Sequence, residues 1–227
     1  MAHSADSSTP SSVRCPVCGR GDTSHFADAR DLEYFTTDET YRYRSCSGCH
    51  AVFLNDPPVD RLSEIYPPSY YSYVESGGSK SPVQRFKELL DARMFKRLLR
   101  QIPGEDLCVL DVGGGSGWLL DVLRRLSPRV AQTHEVDVDE RAGEAARAGG
   151  HIFHCMRIED FKSERQFDLI LMLNLIEHVA DPGAVLRAMV ETLAPNGLIL
   201  IKTPNTDSLD RRLFQNHNWG GFHCPRH

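Results

Sequence analysis

CVLDVGGGSGW, residues 108–118, is the stretch on which the fold turns. Cys108 to Leu110 reads as an apolar strand, and Trp118 to Leu126 (WLLDVLRRL) reads as an amphipathic helix. A tight strand-to-helix turn needs residues without a Cβ, both to reach unusual backbone angles and to let a ligand lie against the main chain. Gly113, Gly115 and Gly117 meet that need at alternate positions. Outward from this turn the pattern repeats: QTHEVDV (132–138), a helix from Glu140 to about Ala148, HIFHC (151–155), FDLILMLNL (167–175), a helix from Pro182 to about Leu193, and LILIKT (198–203). Near-continuous apolar strands alternating with helices predict an α/β fold, a Rossmann-like parallel sheet covered on both sides.

A glycine-rich loop alone is a weak sign, because dinucleotide enzymes and plain tight turns both use one. Asp111 discriminates. The dinucleotide fingerprint opens with glycine where this chain carries a carboxylate, which would repel a pyrophosphate but favour a cofactor bearing an ammonium and a sulfonium, as S-adenosylmethionine does. The next strand ends in Glu135-Val-Asp137-Val-Asp139. That is about 20 residues beyond the loop, where an acidic side chain meets ribose hydroxyls in a βαβ unit. Asp137 is the residue assigned to the ribose, with Asp139 and Glu135 as alternatives in register.

The segments VLDVGGGSGW, EVDVDE, IEDF, FDLILMLNLIEHVADP and LAPNGLILIKTPN follow in order between about Leu107 and Asn205. In this the chain resembles the class I S-adenosylmethionine-dependent methyltransferases. The resemblance implies that Asp111 and the glycines Gly113, Gly115 and Gly117 hold the methionine part of the cofactor and that Asp137 binds its ribose. It further implies that Ile158, Glu159 or Asp160 flanks the adenine and that Asn174 lines the mouth of the pocket. His178, after the fourth strand, is the candidate general base, since an unperturbed pKa of about 6.5 suits proton abstraction near neutrality; the alternative is a histidine capping the loop before Asp181-Pro182. The closing run Trp219 to His227 is similar to a W-x-x-x-x-x-P-R-H segment found near the acceptor in a branch of these enzymes. Trp219, His223 and His227 are therefore either acceptor contacts or loop residues packed back on the domain. A seven-stranded member needs a helix and two more strands after LILIKT, and about 25 residues without strand patterning follow. The domain is thus expected to be C-terminally incomplete, with a sheet edge exposed or covered by a homo-oligomeric or other protein partner.

Cys15-Pro-Val-Cys18 and Cys46-Ser-Gly-Cys49 stand 27 residues apart. Each two-residue gap lets both sulfurs face one tetrahedral ion, and four thiolates leave no open position, so the pairs predict a structural Zn2+ ribbon. YRYR (41–44) and AVFL (51–54) read as its short strands. The expected organisation is a disordered tail over 1–12, the ribbon over 13–54, a connector over 55–81 containing Gly77-Gly78, and the methyltransferase domain over 82–227. A helix from Pro82 carries Val83, Phe86, Leu89, Leu90, Met94, Phe95, Leu98, Leu99 and Ile102 at helical spacing, a stripe expected to pack on the sheet. It also carries Arg85, Lys87, Arg93, Lys96, Arg97 and Arg100, either a solvated face or a cationic one for an anionic substrate.

With 227 residues, a formal charge of −5 and a pI near 6.0, the chain offers no global attraction for a polyanion. The ribbon's arginines are interleaved with carboxylates. Nucleic acid is accordingly an unfavoured partner, and a small-molecule acceptor, a sugar, glycan or secondary metabolite methylated on oxygen, is favoured. The alternatives are an RNA methyltransferase that uses the ribbon for binding and a non-catalytic adaptor built around the zinc module. No apolar run reaches the roughly 18 residues of a membrane span, and the polar start has no signal-peptide core, so a cytoplasmic protein is expected.

Overall fold

The computed structural model describes residues 13–67 and 82–227; the expected tail over 1–12 and most of the connector, with Gly77-Gly78, lie outside them. The chain divides into two compact units, residues 66–204 and residues up to 65 together with 205–227.

In the larger unit, β4 (Leu107–Val112), β5 (Val130–Asp137), β6 (Ile152–Cys155), β7 (Phe167–Leu173) and β8 (Leu193–Lys202) form an all-parallel sheet in the order β6-β5-β4-β7-β8. This is the expected Rossmann-like architecture. The strand sequence reverses direction beside β4, the crevice where open α/β sheets bind ligands. α2 (Pro82–Leu99), α3 (Trp118–Leu126), α4 (Glu140–Ala148) and α5 (Pro182–Glu191) complete the unit. One face of the sheet packs Cys108, Leu110, Val112, Ile170 and Met172 against Val185 and Met189 of α5. The opposite face packs Val109, Leu169 and Leu171 against Leu120 and Leu123 of α3 and Phe95 and Leu99 of α2. Because both faces are covered, the strands carry apolar residues at consecutive positions instead of alternating. Asp139 and Asp181 cap α4 and α5 by accepting from the amides of Arg141 and Ala184.

The expectation for α2 is half corrected. Phe95, Leu99 and Ile102 are buried on the sheet, while Phe86, Leu89, Leu90 and Met94 face solvent. The described apolar residues of the stripe cannot all share the single helix side that touches the core; those in phase with Phe95 reach it.

The smaller unit is an antiparallel meander of β1 (Thr23–Ala29), β2 (Tyr41–Cys46) and β3 (Val52–Leu54), followed by the one-turn helix α1 (Leu62–Ile65). Here the expected domain boundaries differ from the packing. Residues 55–65, assigned to the connector, belong to this unit, as do residues 205–227, assigned to the sheet domain. The reason is apolar area: three short strands bury too little alone, and Trp219, Phe222 and Cys224 close over Ala27, Tyr41, Tyr43 and Leu54. The residues after Pro204 also form a helix unforeseen in the sequence, α6 (Leu209–Asn218). Arg226 locks the arrangement. Its guanidinium donates to the Ile65 carbonyl at 2.6 Å and to Asp31 Oδ2 at 3.0 Å, with both side chains of the ion pair fully buried. Burial pushes the Asp31 carboxyl up, but Arg226, the Thr36 hydroxyl and the amides of Tyr34 and Thr36 outweigh it and hold it well below the usual carboxylate range. Arg226→Met should destabilise this unit by about 3 kcal/mol in urea melts followed at Trp219, because a buried carboxylate loses its cation. An unchanged midpoint would refute the assigned role.

Candidate active site

The loop after β4 places Gly113, Gly115 and Gly117 at φ of 71°, 65° and 75°, the left-handed region that glycine enters without steric cost. The three alternate positions singled out in the sequence are thus the three that need glycine. A Cβ at Gly113 would stand 2.8 Å from Leu175 Cδ1 of the loop after β7, and one at Gly117 2.6 Å from the buried ring of His151. Gly114 is bare for another reason: a Cβ there would land on Asp111 Oδ2 and 2.6 Å from Glu135 Oε2.

Beneath the loop lie carboxylates from two adjacent strands. Asp111 and Glu135 are partners in the β4–β5 register, and both are fully buried. Glu135 Oε1 accepts from the Gly114 amide at 2.7 Å, while Glu135 Oε2 and Asp111 Oδ2 have no hydrogen-bond partner among the described residues. Asp137, at the end of β5, is half-buried and accepts from the Asp139 amide at 3.0 Å. Burial first, and then the negative charge of Asp137, pushes Asp111 up to about 7. Glu135 is raised far above its ordinary value by burial and by the charges of Asp111 and Asp137, and Asp137 is raised by burial. Buried like charges with lone pairs left open are costly, and a cationic hydrogen-bond donor would relieve that cost. These residues fit a positively charged ligand group and do not fit a diphosphate.

The other sequence-selected residues separate. Asn174 follows β7 at a φ of 56° and donates its amide to the Lys202 carbonyl at 2.7 Å. Ile158 is a core residue packed with Phe161 and Val185, whereas Glu159 and Asp160 are exposed on the short 3-10 turn after β6, Glu159 paired with Arg157 at 3.1 Å. His178 sits in the turn after β7, its amide donating to the Leu175 carbonyl, and its Nδ1 lies 2.9 Å from Tyr66 Oη. Tyr66 was not anticipated: it stands 112 positions earlier, in a Pro- and Tyr-rich stretch with no periodic signal. Trp219 and His223 are buried in the smaller unit, Trp219 in its apolar cluster and His223 with Nδ1 2.5 Å from Glu33; the His227 ring lies 2.8 Å from the Gly221 carbonyl.

The four predicted zinc ligands converge in the smaller unit. Cys15 Sγ lies 3.6 Å from Cys49 Sγ, Cys18 Sγ lies 3.5 Å from Cys46 Sγ, and all four sulfurs fall within 4.8 Å of one another. A tetrahedral ion with Zn–S bonds of ~2.3 Å sets its sulfurs about 3.8 Å apart, so the cluster has the size of such a site.

Residues 84–227 match the family model described as a methyltransferase domain. The chain belongs to the methyltransferase family. The match continues past the sheet unit into residues 205–227, which belong to the same compact unit as the four cysteines. Among curated methyltransferases, the chain is 30% identical over 139 residues to the ubiquinone biosynthesis O-methyltransferase of Bradyrhizobium diazoefficiens, covering 56% of this chain and 55% of that one. It is 37% identical over 120 residues to the protein of the same name from Parvibaculum lavamentivorans, covering 51% and 45%. The chain therefore spans about half the length of the curated relatives it matches. A solved plantazolicin methyltransferase, BpumL, in complex with a pentazolic desmethylPZN analog and SAH, aligns with 24% identity over 60% of this chain and 53% of that one, at a TM-score of 0.49. Among the described residues no helix of the methyltransferase chain is long and apolar enough to cross a membrane.

Proposed function

We propose that this chain is an S-adenosylmethionine-dependent methyltransferase acting on an oxygen of a small molecule. The observation that carries the reading is the pair of buried carboxylates, Asp111 and Glu135, each with an oxygen lacking a partner, under a loop whose glycines keep the backbone bare at the reversal point of a parallel sheet. When bound, S-adenosylmethionine supplies the electrophilic methyl group through its sulfonium. Gly113, Gly115 and Gly117 let the main chain approach the methionine portion, Asp111 and Glu135 supply the negative charge that meets its ammonium, and Asp137 accepts from the ribose hydroxyls. The exposed Glu159 and Asp160, with the edge of Ile158, border the adenine, and Asn174 lines the mouth of the pocket.

His178 takes the proton from the acceptor hydroxyl. For Nε2 to do so, Nδ1 must carry the ring hydrogen and donate it to Tyr66 Oη, a contact that holds the ring plane. An oxygen acceptor agrees with the relatives being named O-methyltransferases and with the need for a base. In the smaller unit, Cys15, Cys18, Cys46 and Cys49 hold a structural Zn2+, with all four positions filled by thiolate and no role in the chemistry.

Calorimetry with S-adenosylhomocysteine on the zinc-loaded chain tests the cofactor half of this reading, and absence of binding would refute it. For the base, His178→Gln should lower kcat about 100-fold while leaving affinity for S-adenosylhomocysteine unchanged, and Tyr66→Phe should lower it about 10-fold. Equal kcat in wild type and His178→Gln would remove His178 from the mechanism.

A further inference from the structure

The solvent face of α2 has no function in the reading above, and it is unlike an ordinary solvated helix face. Phe86, Leu89, Leu90 and Met94 are exposed by 62%, 54%, 48% and 43%, and they are large, consecutive in helical phase, and turned away from the Phe95–Leu99 side that meets the sheet. Arg93, Lys96, Arg97 and Arg100 are exposed on that same face over the next two turns. Among the described residues none of these four cations has a carboxylate within ion-pair distance. The acidic residues of the described part of the helix, Glu88 and Asp91, are only part-exposed and fall at angles nearer the buried side. The chain as a whole is acidic, at −5, so this is a local excess of positive charge set against the global balance.

We propose that α2 docks this protein onto an anionic lipid surface, its apolar half entering the headgroup–acyl boundary and its arginine-rich half meeting lipid phosphates. Exposed apolar side chains can enter the headgroup–acyl boundary while neighbouring Lys and Arg extend their stems and keep their charges at the lipid phosphates, and each Lys or Arg near an anionic surface adds attraction that salt screens. Charge complementarity decides the occupant. A second copy of the chain seated antiparallel would press four cations onto the apolar half of its mate, and seated parallel would oppose cation to cation; neither supplies the missing anions. A polynucleotide would supply anions but leave Phe86, Leu89 and Leu90 against water. The inference rests on the helix surface alone and is independent of the methyl-transfer reading.

The test is co-sedimentation of the full, zinc-loaded chain with vesicles of phosphatidylcholine alone and with about 30 mol% phosphatidylglycerol. Retention on the anionic vesicles that falls with added salt, is reduced about 30-fold or more by Arg93→Glu with Arg97→Glu, and is also weakened by Phe86→Ser with Leu90→Ser is the expected result. Both pairs are exposed, so melting temperature and affinity for S-adenosylhomocysteine should not move, which separates loss of docking from loss of fold. Equal retention on both vesicle types, no retention at low salt, or retention indifferent to both pairs would overturn the proposal. A dimer seen by light scattering and dissociated by Phe86→Ser with Leu90→Ser would assign the face to a second copy instead. Retention on single-stranded RNA without retention on vesicles would assign it to nucleic acid.

Discussion

Removal of the metal by a strong chelator at neutral pH is expected to unfold the smaller unit while the parallel sheet keeps its own melting transition. Among the described residues the apolar cluster of that unit gathers seven buried residues, Ala27, Tyr41, Tyr43, Leu54, Trp219, Phe222 and Cys224, drawn from the strands and a returning segment. Burial on that scale does not offset the backbone entropy of ordering so many turn residues, and a structural Zn2+ adds on the order of 10 kcal/mol of folding free energy. The cysteines gather at one end of the meander: Cys15 and Cys18 precede β1, whose first residue pairs with Cys46 at the end of β2, and Cys49 lies in the turn to β3. The fluorescence of Trp219, buried in this core, should shift to the red as the metal leaves, and metal analysis should give one zinc per chain before treatment. Cys18→Ser should weaken the unit in the same way without added chelator. A metal-free chain whose Trp219 emission is unchanged would show that the thiols do not hold the fold.

Replacing Asp111 with asparagine should produce two opposite effects. In the free protein the Asp111 carboxyl sits up near 7, above the ordinary value of 3.8, because burial and the Asp137 charge favour its protonated form. A carboxyl held above its unfolded pKa contributes its full stability below about pH 4, and loses it as pH rises through about 7. Asp111→Asn removes that loss, so the ligand-free variant should melt higher than wild type at pH 8 and flatten the fall in stability between pH 5 and pH 8. Cofactor binding should move the other way. A hydrogen bond to an ionised partner contributes roughly 1.5–3 kcal/mol, so affinity for S-adenosylmethionine should drop about 10- to 100-fold in the variant, and the wild-type affinity should rise with pH over the same interval. Scanning calorimetry across pH, paired with titration calorimetry, reads both effects. Parallel stability curves for the two proteins, or equal cofactor affinity, would show that Asp111 is not the residue meeting the ammonium.

Much of this site is legible in the sequence because its determinants are local. Three glycines at alternate positions after an apolar run demand left-handed backbone, and Gly113, Gly115 and Gly117 have it. Each C-x-x-C turn presents its own two sulfurs to one ion, and the four sulfurs lie within 4.8 Å of one another. Glu135 is not singled out by sequence, because only the β4–β5 register sets it opposite Asp111 and under the Gly114 amide, while sequence spacing alone favours Asp137. Tyr66 is illegible for the same reason: its contact with His178 joins a segment before the sheet to the turn after β7, and no local pattern encodes that distance.

The order of β and α segments, the glycine turn with its carboxylate, and the cysteine spacing are settled by amino-acid sequence, since each follows from short-range sterics or from the valence of a tetrahedral site. Tertiary structure decided which side of α2 meets the sheet, to which unit residues 205–227 belong, and which acidic side chains are buried with lone pairs open. Those are questions of partner surface and strand register, and partners far apart in the chain become neighbours only when the core closes.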